Sequence, residues 1–166
     1  MEKQKASIQQ AGDTEQTLVL LRDILESPEW KNTKAKLPIA VGKDENGDAL
    51  ILDLAEAHLL IGGNCGSGKT VCIHSIVTSL INRLDPDALR FLIIEPIAAA
   101  AQSYTSLPHL LTPVITNPNQ ASSALHWIIK EVDQRREIFT RAGVRNIGAY
   151  NELSKEQLAT VESEGL

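Results

Sequence analysis

Aromatic side chains are scarce. Phe, Tyr and Trp together make up 4% of the 166 residues. A core without large rings has to be filled by Leu, Ile, Val and Ala, and at 43% apolar residues the chain has enough of them. Cysteine is scarcer still. Cys65 and Cys72 are the only two, which excludes a disulfide framework and fits a reducing cytoplasm. No run of about 18 apolar residues occurs, so no segment of the sequence reads as a membrane span. The opening "MEKQKASIQQAGDTEQ" has no apolar stretch of the kind a secretion signal needs. Positive charge is also short, with 16 Lys and Arg against 21 Asp and Glu and a net charge of −5. Such a surface does not attract nucleic acid as a whole, and any DNA contact requires a local basic patch or an assembly.

What is present alternates between strand-like and helix-like patterns. Residues 1–16 are polar, aperiodic and expected to be disordered. In "TLVLLRDILESPEW", Leu18, Leu21, Ile24 and Leu25 form a short helical stripe that Pro28 ends. "KNTKAK" reads as a linker. "LPIAVGKDENGDALILDL" reads as a β-hairpin around Asn46-Gly47, a favoured tight-turn pair. "HLLIGG" is expected to be a short buried strand. Beyond it Ile73, Ile76, Val77, Leu80 and Leu84 recur at helical spacing, which gives a helix with one buried face. "LRFLIIEP" is a continuous apolar run of the kind buried on both faces of a parallel sheet, and "TPVIT" is a further short strand. "NPNQASSALHWIIKEVDQRREIFTRAG" is a long helix with Ala121, Ala124, Leu125, Ile128 and Val132 facing inward. Glu131 and Arg135 are placed to pair and Gly143 to stop that helix. The tail "NELSKEQLATVESEGL" is a polar helix candidate. The alternation argues an α/β layered fold with a mostly parallel sheet flanked by helices, preceded by an N-terminal helix and hairpin. Its division is a lead-in over residues 1–35 and a nucleotide-binding domain over 36–166.

Gly63, Asn64, Cys65, Gly66, Ser67, Gly68, Lys69 and Thr70 match G-x-x-x-x-G-K-[ST]. The chemistry explains the spacing. Glycines allow the turns that aim successive N–H groups inward as an anion nest, and the following helix adds its positive end. Lys69 is placed to reach the β- and γ-phosphates and the Thr70 hydroxyl to ligate Mg²⁺. A strand pattern before the loop and an amphipathic helix after it make this a phosphate-binding loop rather than a flexible Gly-rich turn. The absence of an Asn-Lys-x-Asp guanine-reading motif points to ATP. Cys65 sits where backbone does the binding; it is either inert or an oxidisable thiol whose modification blocks nucleotide. Cys72 reads as a small helix residue.

Hydrolysis also needs a carboxylate at a strand end. Glu95, closing "FLIIEP", is the candidate after the loop, either as a Mg²⁺ ligand or as an acid with no catalytic duty. His58, His74, His109 and His126 have no metal-ligand spacing and read as packing or surface residues. Arg135, Arg136, Arg141 and Arg145 form a basic cluster, read as a solvated, ion-paired face or as a subunit or phosphate contact.

Several phrases in order resemble the motor domain of FtsK/SpoIIIE-type DNA translocases, over roughly residues 19–151. They are "LRDILESPEWKNTKAKLPIAVGKDENGDALILDLAEAHLLIGG", "GSGKTVCIHSIVTSL", "LRFLIIEP", "LPHLLTPVIT", "ALHWIIKEVDQRREIF" and "GVRNIGAYN". The resemblance implies a RecA-like P-loop core, ATP·Mg²⁺ held by residues 63–70, and hexameric rings that hydrolyse ATP between subunits. Such rings pump double-stranded DNA in chromosome segregation, cell division or sporulation. It also implies departures. The family's Asp-Pro-Lys is here Glu95-Pro96-Ile97, followed by "AAAAQSY". Its Walker B Asp-Glu strand lies beyond the "GVRN" phrase, and its winged-helix domain and membrane anchor have no counterpart here. The expectation is an incomplete core that binds ATP and hydrolyses it poorly alone, and that self-associates through an exposed strand edge. A small P-loop kinase and a non-catalytic partner of a translocase ring are the rival readings.

Overall fold

The computed structural model describes residues 18–55, 57–154 and 158. They fall into two compact units, one reaching to Leu89 and the other beginning at Arg90. The expected disorder of residues 1–16 and most of the expected tail helix, residues 155–157 and 159–166, lie outside the described residues.

In the first unit the N-terminal helix comes in two pieces. α1 spans Leu21–Leu25 and α2 spans Pro28–Asn32. Pro28 does end α1, as the sequence suggests, but it also starts α2. Its fixed φ and missing N–H suit a first helical position, and the Ser27 hydroxyl caps the helix by accepting from the Trp30 amide at 3.1 Å. That break turns Trp30 onto Ile24 and Ala40, the three buried residues of a small core edged by Leu21, Leu25, Ala49 and Ile51.

The hairpin is formed by β1, Pro38–Lys43, and β2, Ala49–Asp53, paired antiparallel with a bulge between Ala40 and Gly42. Its turn is wider than a two-residue Asn-Gly connection. Asp44 organises it: Oδ1 accepts the amides of Asn46 and Asp48 at 2.9 Å each, and Gly47 takes the positive φ of 89° that the loop requires. At the other end Asp53 accepts the amides of Lys36 at 2.8 Å and of Leu37 and Ala55 at 2.9 Å each. α3, Lys69–Arg83, packs along β1. Leu80 of its stripe is buried, Ile76, Val77 and Leu84 are half-buried, and Ile73 is exposed. Ser79, which the stripe omits, is fully buried with Ile39 and Pro38.

The second unit carries α4, Ala98–Ala101, which runs into a 3-10 turn at Gln102–Tyr104, then α5, Pro118–Arg141, and α6, Ile147–Asn151. Asn117 caps α5 and Pro118 occupies its first turn. Gly143, at φ 68°, closes it: the Val144 amide reaches back to the Phe139 carbonyl at 2.9 Å. Glu131 and Arg135 pair at 2.7 Å as their spacing predicts.

The sheet differs from expectation. Among the described residues the only ladder is the antiparallel β1–β2 pair. "HLLIGG" runs without a ladder, and Leu60 is 95% exposed. "LRFLIIEP" does run parallel to the chain that follows it, but through isolated bridges: Phe91 to Leu110, ahead of "TPVIT", and Ile94 to Ile115 within it. The parallel sense is therefore present locally without a continuous sheet, because a parallel ladder needs adjacent strands over several residues. The expected inward face of α5 is only partly covered. Ala121, Ala124 and Ile128 are half-buried, while Leu125 and Val132 stand exposed.

Candidate phosphate-binding site

The loop between "HLLIGG" and α3 is shaped by its glycines. Gly66 and Gly68 take φ of 79° and 86°, a region where a Cβ meets the following carbonyl. A Cβ on Gly63 would collide with Ser67 Oγ and lie 3.2 Å from Ser67 Cβ, so a side chain there would force Ser67 to move. The Ser67 amide closes the turn onto the Asn64 carbonyl at 3.2 Å. Gly68 is the N-cap of α3, and the Cys72 amide makes the bond to its carbonyl at 2.9 Å. The amides of Lys69, Thr70 and Val71 precede that bond and lie at the positive end of a 15-residue helix. No acidic residue stands in the first turn to compete for them.

Lys69 is half-buried, and its ammonium donates to the carbonyls of Gly63 at 2.9 Å and Asn64 at 2.7 Å. An ammonium has three donors, so a third N–H remains for an anion. Thr70 is exposed on the same turn. The sequence-predicted residues Gly63, Asn64, Cys65, Gly66, Ser67, Gly68, Lys69 and Thr70 thus form one continuous loop and helix start. Neither cysteine is in a disulfide; Cys65 is exposed and Cys72 half-buried.

Glu95 belongs to the other unit and has a local task. Its Oε1 accepts the Ile97 amide at 2.9 Å, at the turn that leads into α4. Tyr104 is buried in the same unit; burial raises its phenol above the usual value, and the charge of Glu95 raises it further. His109 is buried against Phe91, with ring centroids 5.9 Å apart, and His126 Nδ1 lies 2.8 Å from the Ser122 carbonyl. Among the described residues no three His, Cys, Asp or Glu side chains gather as a metal site. In the basic cluster, Arg135 pairs with Glu131, and Arg136 with Asp133 at 3.4 Å. Arg141 and Arg145 are exposed. Sequence patterns missed Ser79 and Arg83, polar residues on α3 that reach β1 and α2. A Ser inside an apolar helical stripe was the available signal for the first.

A glycine loop of this geometry, ending in Lys-Thr at the head of an amphipathic helix, is that of a P-loop NTPase. The relatives agree. The chain belongs to the FtsK/SpoIIIE family, whose model matches residues 20–164. It is 43% identical over 136 residues to a protein of Haemophilus influenzae named DNA translocase FtsK, covering 81% of this chain and 26% of that one. Proteins of the same name from Clostridium tetani and Bradyrhizobium diazoefficiens are 42% and 44% identical over 143 and 134 residues. These matches cover 86% and 80% of this chain but 19% and 16% of the relatives. The chain therefore spans about a quarter or less of the relatives it matches. Among the described residues no helix is long and apolar enough to cross a membrane.

Proposed function

We propose that this chain is the ATP-binding portion of an FtsK-like double-stranded DNA translocase acting in chromosome segregation and cell division. Residues 36–166 then belong to a RecA-like nucleotide-binding domain and residues 1–35 form its lead-in. One observation carries the reading: Lys69 and Thr70 open α3 directly behind a left-handed Gly68, in a loop where Gly63 packs closely against Ser67. The family's relatives are named DNA translocases, which supplies the DNA partner in a complete cytoplasmic motor.

The residues fit a nucleoside triphosphate with Mg²⁺. Backbone amides of the loop and of the first turn of α3 bind the phosphates, and Lys69 adds a mobile positive charge. The Thr70 hydroxyl supplies a hard oxygen suited to Mg²⁺. Bound Mg²⁺ would neutralise charge on the β- and γ-phosphates. The exposed apolar residues Leu60, Leu125 and Ile129 favour self-association, as in a ring of subunits. The test is calorimetric titration of the chain with a non-hydrolysable ATP analogue and Mg²⁺, alongside Lys69→Ala. Binding by the parent protein and its loss in the variant is the expected result, and equal affinity rejects the assignment.

A further inference from the structure

The geometry points to Ser79 and Arg83 as positioning residues that fix α3 against the N-terminal elements and so set where Lys69 and Thr70 are presented; this rests on the nucleotide-binding reading above. The Ser79 hydroxyl is fully buried and used twice. It donates to the Ser75 carbonyl at 2.7 Å, one turn back on α3, and accepts the Ala40 amide of β1 at 3.1 Å. Ala40 is also the residue at which the bulge begins, so the contact falls where the β1–β2 register shifts. An amide directed out of a two-stranded ladder and buried needs a partner, and a helix side chain fills that need at one position along α3. One turn further on, Arg83 donates to the carbonyls of Trp30 at 3.4 Å and Thr33 at 3.3 Å, at the end of α2.

The two ties hold the helix from its rear half. Ser79 lies ten residues after Lys69, about 15 Å along a helix that rises about 1.5 Å per residue. The hydrogen bonds of that front turn run to its own loop, from Lys69 to Gly63 and Asn64 and from Cys72 to Gly68. Nothing in this loop-internal set fixes the loop to the hairpin. Shape-filling contacts such as Leu80 bury area but are non-directional, whereas hydrogen bonds at Ser79 and Arg83 specify one rotation and one translation of α3.

The experiment compares the parent protein with Ser79→Ala, Ser79→Cys and Arg83→Gln, and with Asp53→Asn, which loosens the hairpin without touching α3. Affinity for a fluorescent ATP analogue with Mg²⁺ is measured at a temperature where each is folded by circular dichroism. Amide exchange at residues 69–72 is followed in the absence of nucleotide. Expected are a fall in affinity of about 2- to 30-fold in Ser79→Ala and Arg83→Gln, a smaller fall in Ser79→Cys, and faster exchange at 69–72 in the same order. Asp53→Asn changes neither. Should Ser79→Ala not fold, Ser79→Cys and exposed Arg83→Gln carry the test. Unchanged affinity and exchange in the folded α3 variants overturn the inference, as does an equal change in Asp53→Asn. Absence of binding by the parent protein instead overturns the nucleotide reading, and the exchange data then still decide whether the ties order the loop.

Discussion

Lys69 Nζ donates to the Asn64 carbonyl at 2.7 Å, so the residue that opens α3 closes back on the loop that precedes it. The ammonium is thereby held at the rim of the glycine loop. Lys69→Ala removes that anchor and, on the proposed reading, a charge-assisted phosphate contact, a class of hydrogen bond worth about 1.5–3 kcal/mol. The expected loss of affinity for an ATP analogue is about 10- to 150-fold. Calorimetry reads it directly.

Gly63→Ala tests the loop without touching its charge. The new methyl would have to displace Ser67, whose amide closes the same turn onto Asn64. Affinity is expected to fall severalfold or more while thermal stability changes little, because the loop is exposed. Gly66→Ala, at φ 79°, adds about 1–2 kcal/mol of backbone strain. If Gly63→Ala binds as the parent does, the close approach to Ser67 is incidental.

Asp53 makes the hairpin sensitive to acid. Partial burial pushes its carboxyl up, but the amides of Leu37, Ala55 and Lys36, together with the Lys36 charge, outweigh that and leave it below its ordinary value. A carboxyl whose folded value is depressed contributes stability that is fully present above the unfolded value, about pH 4 for Asp. That stability is lost as pH falls through the folded value. Urea midpoints measured from about pH 5 downward should therefore decline, and Asp53→Asn should flatten that part of the curve while lowering the plateau. A parallel decline in Asp53→Asn assigns the acid sensitivity elsewhere.

Trp30 carries much of the first unit's small core. It is 3% exposed against Ile24 and Ala40, in a chain with few aromatic residues. Trp30→Ala is expected to cost about 3–5 kcal/mol, enough to unfold a marginal unit, and urea denaturation would show the shift. Leu125→Ala on α5 should cost far less, since that side chain is 51% exposed.

These contrasts show what the sequence made legible. α3, α5, the hairpin and the phosphate loop could be read because each is set by local chemistry: apolar spacing, an Asn-Pro start, a Gly-Lys-Thr ending. The division of the first helix at Ser27-Pro28 was half legible, since proline signals a stop and a start alike. The turn around Asp44 was wider than Asn46-Gly47 suggests because the Asp44 carboxylate competes for the amides of Asn46 and Asp48. Parallel pairing could not be read from a single segment. "LRFLIIEP" looks like a buried strand, yet whether it forms a ladder depends on neighbours elsewhere along the chain, and among the described residues it meets them in bridges only at Phe91 and Ile94. Ser79 was missed because apolar spacing alone does not register a buried hydroxyl; its place beside Leu80 on the stripe was the signal available.

Hydrolysis separates nucleotide binding from motor action. Phosphoryl transfer needs carboxylates that hold Mg²⁺ and orient water, and ring ATPases commonly add an arginine from a neighbour. On the proposed reading Lys69 and Thr70 provide the phosphate end of such a site. Glu95 is the acid that the sequence offers, but its Oε1 is engaged by the Ile97 amide, a bond that shapes the start of α4. A glutamine keeps an oxygen acceptor for that amide, so Glu95→Gln should fold normally. The chain alone is therefore expected to bind ATP with turnover near background, with or without double-stranded DNA, and Glu95→Gln to leave that level unchanged. Steady-state phosphate release is the measurement. DNA-stimulated turnover abolished by both Lys69→Ala and Glu95→Gln would promote Glu95 to a catalytic carboxylate and make the bond to Ile97 one that breaks on binding. Turnover lost in Lys69→Ala alone would locate the carboxylate elsewhere in the chain.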